Sequence, residues 1–199
     1  MENVQLLLKT RYSIDISKLK VDHICYRCNT KNEYINMKEH LNNYGATLLI
    51  ESMINGRPIS TFKFVHSIDY NNGTIPLLEL PCPSSNNKYK TGLQHIEVVL
   101  PASNTDQQQH MHPFLDNTSL DEFIRRNPLS KNLYGSMTYN KKAINSDVEI
   151  VFSDEEEECL FDQMSVKFHA SSLENVIKYE IENDMVKHVP DHYFDDCKL

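Results

Sequence analysis

Residues 21–28 read VDHICYRC and set a histidine, His23, beside a Cys-x-x-Cys spacing. The two features invite different chemistry. Paired cysteines bind zinc or exchange electrons, whereas a histidine ligates a metal or moves a proton. Apolar and polar positions alternate here, which predicts a strand. Side chains three apart on a strand point to opposite faces, so Cys25 and Cys28 cannot chelate one ion. The sequence has no second Cys-x-x-Cys to complete a zinc ribbon. A redox pair sits at a helix N-terminus, and the next helical pattern begins only later. Cys25 and Cys28 therefore read as structural thiols.

The histidines offer more. His23, Cys25 and Arg27 share one face of the first strand, and His95, Glu97 and Val99 share one face of GLQHIEVVLP. In IPLLELP, Leu77, Glu79 and Pro81 share a face, and Glu79 is the one carboxylate of that apolar segment. Burying a carboxylate is costly unless it is paired or bound to a cation. His23, His95 and Glu79 would together make a facial triad with open positions for water or substrate. Imidazole and carboxylate donors suit one divalent ion of zinc, iron, manganese, nickel or cobalt. The spacing also allows a plainer alternative. His23 and His95 are then polar strand residues satisfied by neighbours, and Glu79 pairs with Arg27 or Arg57. Nine histidines among 199 residues make chance sets easy to draw.

Other residues carry paired readings. Arg57, in NGRP, is a solvated turn residue or an anion contact. Glu97 is an ion-paired strand residue, an acceptor that orients His95, or a general base. His66 reads as a surface strand residue, and His110 and His112 as a polar loop. The acidic run from Asp154 to Glu158 reads as a solvated turn, and His188 and His192 as part of a mobile tail.

These residues need a scaffold. ENVQLLLKTRY predicts an N-terminal helix, then a strand at residues 21–28. NEYINMKEHLNNYG follows as a helix with Asn32 able to cap it and Gly45 able to end it. Three strands come next: ATLLIESMI, PISTFKFVHSI and IPLLELP, joined by the turn signals NGRP and DYNNG. A Pro- and Ser-rich loop leads to GLQHIEVVLP, a helix around SLDEFIRR, strands at LYGSMTY, SDVEIVFS and MSVKFHA, and a last helix SLENVIKYEI. The pattern is a weak repeat: VDHICYR and LQHIEVV each open a β-α-β-β-β run. It divides one domain into module one at about 20–83, a linker at about 84–92, module two at about 93–184, and a polar C-terminal tail.

Hydrophobic content of 40% and charged content of 24% are those of an ordinary globular chain. The net charge is −8, with no basic stripe, so nucleic acid is not an expected partner. No apolar run is long enough to span a membrane. MENVQLLLKTRYS carries an early acid and too short an apolar run for a signal peptide, and the five cysteines are odd in number and scattered. A cytoplasmic protein with free thiols is expected.

VDHICYR, ESMINGRPISTFKF, LLELPCP, GLQHIEVVLP and SVKFHASSLENVIKYE, in this order, resemble the bacterial YecM family of the vicinal oxygen chelate superfamily. The resemblance runs from about Ile14 to Glu180 and is poor between Ala102 and Phe161. It implies an α+β fold whose two βαβββ modules form a curved, incomplete barrel around a cavity. Superfamily metal ligands come from the first and fourth strands of each module, which implies His23, Glu79 and His95. The fourth position lacks its carboxylate: Lys167 stands opposite Glu79 in the repeat, and His169, two residues on, is a fourth candidate ligand. The implied function is a divalent-metal protein acting on a small oxygen-rich substrate that chelates through two adjacent oxygens. Arg57 and Lys167 would be counter-charges for a polar or anionic ligand, and Glu97 or His169 a proton carrier. Isomerase, lyase and dioxygenase chemistry stay open. So do a metal-free small-molecule-binding module, an interaction scaffold, and a monomer or homodimer.

Overall fold

The computed structural model describes residues 1–84, 90–102, 117–132, 135–153 and 164–197. His110, His112 and the acidic run from Asp154 lie outside the described residues. In chain order the elements are α1 (Glu2–Tyr12), β1 (Lys20–Arg27), α2 (Lys31–Tyr44), β2 (Ala46–Ile54), β3 (Arg57–Tyr70) and β4 (Gly73–Pro81). Then follow β5 (Gly92–Val99), α3 (Thr118–Arg126), β6 (Lys131–Asn132), β7 (Gly135–Asn140), β8 (Asp147–Phe152), β9 (Ser165–His169), α4 (Leu173–Glu182) and a 3-10 turn (Asp191–Phe194). This is the expected α+β order of an N-terminal helix and two βαβββ modules, with the two-residue β6 added. No helix among the described residues is long and apolar enough to cross a membrane.

The chain divides into two compact units. Residues Met1–Asp22, Asp69–Thr74 and His95–Val176 form one, here the His95 unit. His23–Ile68, Ile75–Gln94 and Ile177–Leu199 form the other, the His23 unit.

In the His95 unit the strand order is β5-β9-β8-β7-β6. β5 and β9 run parallel; β8 is antiparallel to β9, and β7 to β8. Strand alternation sorts the side chains into two faces. Ile96, Val98, Val166, Phe168, Val148, Ile150, Phe152 and Met137 are all buried on one of them. Phe123 of α3 stacks on Phe168 with ring centroids 4.5 Å apart, and Tyr12 of α1 meets Phe152 edge-on. At about 25 cal/mol per Å² of buried apolar surface, this face is the main stabiliser of the unit. Gly135 permits the close approach of β7 to β8 and α1. A Cβ there would lie 1.9 Å from the Val151 carbonyl oxygen and 2.8 Å from the Tyr12 hydroxyl, at a φ of +137°.

In the His23 unit the order is β2-β3-β4-β1, with β1 parallel to β4 and β2 antiparallel to β3. Asn55 and Gly56 both have positive φ, as a two-residue hairpin between β2 and β3 requires. Cys28, Tyr34, Ala46, Phe62, Leu78, Leu80 and Cys82 form the core. Gly45 ends α2 in the left-handed region, as expected, but Thr30 and not Asn32 caps its start. Thr30 accepts the Glu33 N–H, and Glu33 reaches back one residue beyond the cap to accept the Asn29 N–H. The C-terminal segment is also not the loose tail expected. Lys187 accepts a hydrogen bond from the Met53 N–H, Phe194 stacks on Tyr34 at 5.9 Å, and Lys31 pairs with Asp196.

Candidate functional site

The other face of the His95 unit's sheet is polar. Register places its residues in rows. Glu97 of β5 lies beside Lys167 of β9, which lies beside Glu149 of β8. One row away, His169 of β9 lies beside Asp147 of β8, and Asp147 beside Asn140 of β7. On the other side His95 lies beside Ser165. Period-two alternation in HIEVV, SVKFH and DVEIVF is what brings these groups to one face.

Glu97 is the hub. Its Oε1 lies 3.2 Å from His95 Nε2 and 3.4 Å from Lys167 Nζ, and its Oε2 lies 2.6 Å from His169 Nε2. Both imidazoles are 4% exposed and Glu97 is 8% exposed. The His169 contact is close, yet neither ring nitrogen of His169 makes a well-directed hydrogen bond among the described residues.

The rest of the row is hydrogen-bonded. Ser165 Oγ donates to Glu149 Oε1 at 2.7 Å, and Asn140 Nδ2 donates to Asp147 Oδ1 at 2.8 Å. Lys142 Nζ lies 2.6 Å from the other Asp147 oxygen. Among the described residues, three carboxylates face two ammonium groups on this sheet face. Coulomb attraction in a partly buried place favours a cation beside these carboxylates. His95 and Glu97 belong to a close group of imidazole and carboxylate donor atoms that could hold a metal ion, and such donors suit a divalent ion.

The His23 unit holds the other candidates. His23 is buried and lies beside Leu77; Glu79 is half-buried and lies beside Cys25. His23 and Glu79 thus share a face of the β1–β4 pair. Arg57 is no free turn residue: its Nη1 donates to the Cys82 carbonyl at 3.4 Å. His66 is exposed, as expected of a surface strand position.

The thiols behave as structural groups. Burial pushes Cys28 up to about 12 and Cys82 up to about 11, so neither supplies a thiolate near neutrality. Cys25 is buried, with its Sγ 3.6 Å from Gln94 Oε1.

Sequence reasoning missed Glu149, Asp147 and Ser165. The signal was present in SDVEIVFS, where Asp147 and Glu149 alternate with Val148, Ile150 and Phe152. A charged residue on a strand whose other face is wholly apolar faces either solvent or a site.

Comparison with known proteins supplies the family. The profile described as YecM protein matches residues 2–180. The chain belongs to the YecM family. Protein YecM of Escherichia coli is 35% identical over 94 residues, 47% of this chain and 50% of that protein. An uncharacterised protein of Haemophilus influenzae is 30% identical over 120 residues, 60% of this chain and 56% of that one. The matched stretches thus span about half the length of these curated relatives. Among solved structures, the structural-genomics Protein EC4020 superposes with a TM-score of 0.65 at 23% identity, covering 89% of this chain and 86% of that one. The YecM-family chain shares that fold.

Proposed function

We propose that this YecM-family chain binds one divalent metal ion and a small oxygen-rich ligand on the polar face of the His95 unit. The observation that carries the reading is the buried Glu97 carboxylate with an imidazole at each of its oxygens. His95 and Glu97 would hold the ion, with His169 as a further candidate ligand. Candidate imidazole and carboxylate donors occur in both units, and the ligand roles that the superfamily resemblance implies for His23 and Glu79 belong to the same proposal. When bound, the ion supplies Lewis-acid polarisation of an oxygen that chelates it.

The chain's own residues supply the rest. The Lys167 ammonium, with a side chain 19% exposed, sets a positive charge beside the Glu97 carboxylate and offsets negative charge on a bound ligand. Glu149, fixed by the Ser165 hydroxyl, is the acceptor for a proton leaving the ligand. Arg57 is assigned a ligand contact only by resemblance. Isomerase, lyase and dioxygenase activities all match such an arrangement, and the ligand is small, polar or anionic.

A metal-free binding module is the second reading. Lys167 favours it, because an ammonium 3.4 Å from the carboxylate competes with a metal ion for the same charge. Elemental mass spectrometry on chelator-free protein separates the two. Wild type should carry a divalent metal that His95→Ala loses and Cys28→Ala keeps. Protein that stays metal-free after reconstitution with iron, manganese, nickel and zinc would leave only the second reading.

A further inference from the structure

A cleft lies wholly within the His95 unit, at the carboxyl ends of the parallel strands β5 and β9. Its volume is about 520 Å³, within the range of small-molecule sites. Val99 and Leu100 from the end of β5, and Ala170 and Ser171 from the turn after β9, line one part of it. Lys18, Lys20 and Asp22, from the approach to β1 and its start, line another. The N-terminus of α4 completes it with Ser172 and Asn175.

The polar groups divide by role. Asp22 Oδ2 accepts the Leu173 N–H at 2.8 Å, so a carboxylate already caps the helix. An anion is therefore not needed at the helix axis. Ser171 is 4% exposed, and its hydroxyl has no hydrogen-bond partner among the described residues. A buried hydroxyl left unpaired is costly, and a ligand hydroxyl would satisfy it. Lys18, in the turn before β1, and Lys20, the first residue of β1, are both exposed and line the cleft, which brings two positive charges to it. Carboxylate, hydroxyl and amide groups match the donor and acceptor faces of a polyol. The two lysines match one oxyanion.

The geometry points to a binding site for an anionic polyol, a sugar acid or sugar phosphate, separate from the Glu97 cluster. Its hydroxyls meet Ser171, Asn175 and Asp22, and its oxyanion meets Lys18 and Lys20.

Titration calorimetry with D-gluconate and glucose 6-phosphate tests this, with sorbitol and inorganic phosphate as the uncharged and hydroxyl-free controls. At least one anionic polyol should bind about tenfold tighter than both controls. The double variant Lys18→Ala/Lys20→Ala alters only exposed side chains and should weaken it by a similar factor. Ser171→Ala should weaken binding with an unchanged circular dichroism spectrum. Glu97→Gln should leave it intact, which separates the cleft from the metal reading. The proposal falls if neither anionic polyol binds at about 10 mM, if sorbitol or phosphate binds as well, or if the double lysine variant binds undiminished. Loss of binding in Glu97→Gln would move the ligand to the other site and overturn it too.

Discussion

The two modules use the same strand pairing and fill it with different chemistry. In module one, Cys25 lies beside Glu79; in module two, Glu97 lies beside Lys167. His23 and His95 hold the equivalent place two residues earlier, beside Leu77 and Ser165. The carboxylate has thus changed strands between modules, from the fourth to the first. In module two it gains two imidazoles and an ammonium within 3.4 Å. Module one has a polar network elsewhere, where Tyr34 meets Glu51 at 2.5 Å and Ser60 at 2.7 Å within the packed side. Equivalent backbone does not imply equivalent function. The residue types at a few register positions decide which module carries a site.

The largest expected effect is on the close strand approach that supports the module-two face. Gly135→Ala should cost about 2–4 kcal/mol, since its Cβ would meet a backbone oxygen at positive φ. Gly92→Ala is the sharper half of the comparison: φ is equally positive, +138°, but nothing lies within 4 Å. It should cost only about 1 kcal/mol of backbone strain. Urea unfolding of both variants measures the difference. Equal losses would mean that Gly135 is kept for its φ alone.

His169→Ala should lower metal affinity by about tenfold or more while leaving the fold intact, as read by metal titration beside circular dichroism. An unchanged affinity would remove β9 from the donor set. On the module-one side, Tyr34→Phe should destabilise by about 1–2 kcal/mol in the same urea assay and leave metal affinity alone, because it strips a buried hydroxyl from Glu51 and Ser60. A loss of metal affinity there would break the division between the modules.

The smallest effect concerns the thiols. Cys28 and Cys82 have folded-state values raised by burial, so the folded protein keeps these protons that the unfolded chain gives up. Their contribution to stability is full below the ordinary thiol value of 9.0 and is lost as pH rises towards about 12. Unfolding midpoints should fall over that window, and the fall should shrink in Cys28→Ala. Near pH 8, alkylation should mark Cys197, which is half-exposed, before Cys28 or Cys82.

Much of this was legible from residue types. The hairpin at Asn55-Gly56, the β-α-β-β-β repeat and the shared face of His95 and Glu97 follow from turn chemistry and period-two alternation. Arg57 reads as a turn residue because its carbonyl partner, Cys82, is distant in sequence. Asp147 and Glu149 were hidden for a related reason: alternation assigns them a common face but does not say that β9 lies beside it with Lys167 and His169. Thr30 won the cap from Asn32 because its side chain accepts the Glu33 N–H three residues on, while Glu33 ties down the preceding Asn29 N–H. The C-terminal segment has a polar composition, yet two aromatic residues, Tyr193 and Phe194, pack it against the Tyr34 core. Average composition cannot register a contact made by two side chains.

The most direct test is a manganese titration of Glu97→Gln beside Glu79→Gln, each checked for folding. The carboxylate that changed strands should matter more. Glu97→Gln is expected to lose more than about a hundredfold in affinity, and Glu79→Gln about tenfold less than that. Wild-type affinity in Glu97→Gln, with binding abolished in Glu79→Gln, would place the metal chemistry in module one and contradict the account.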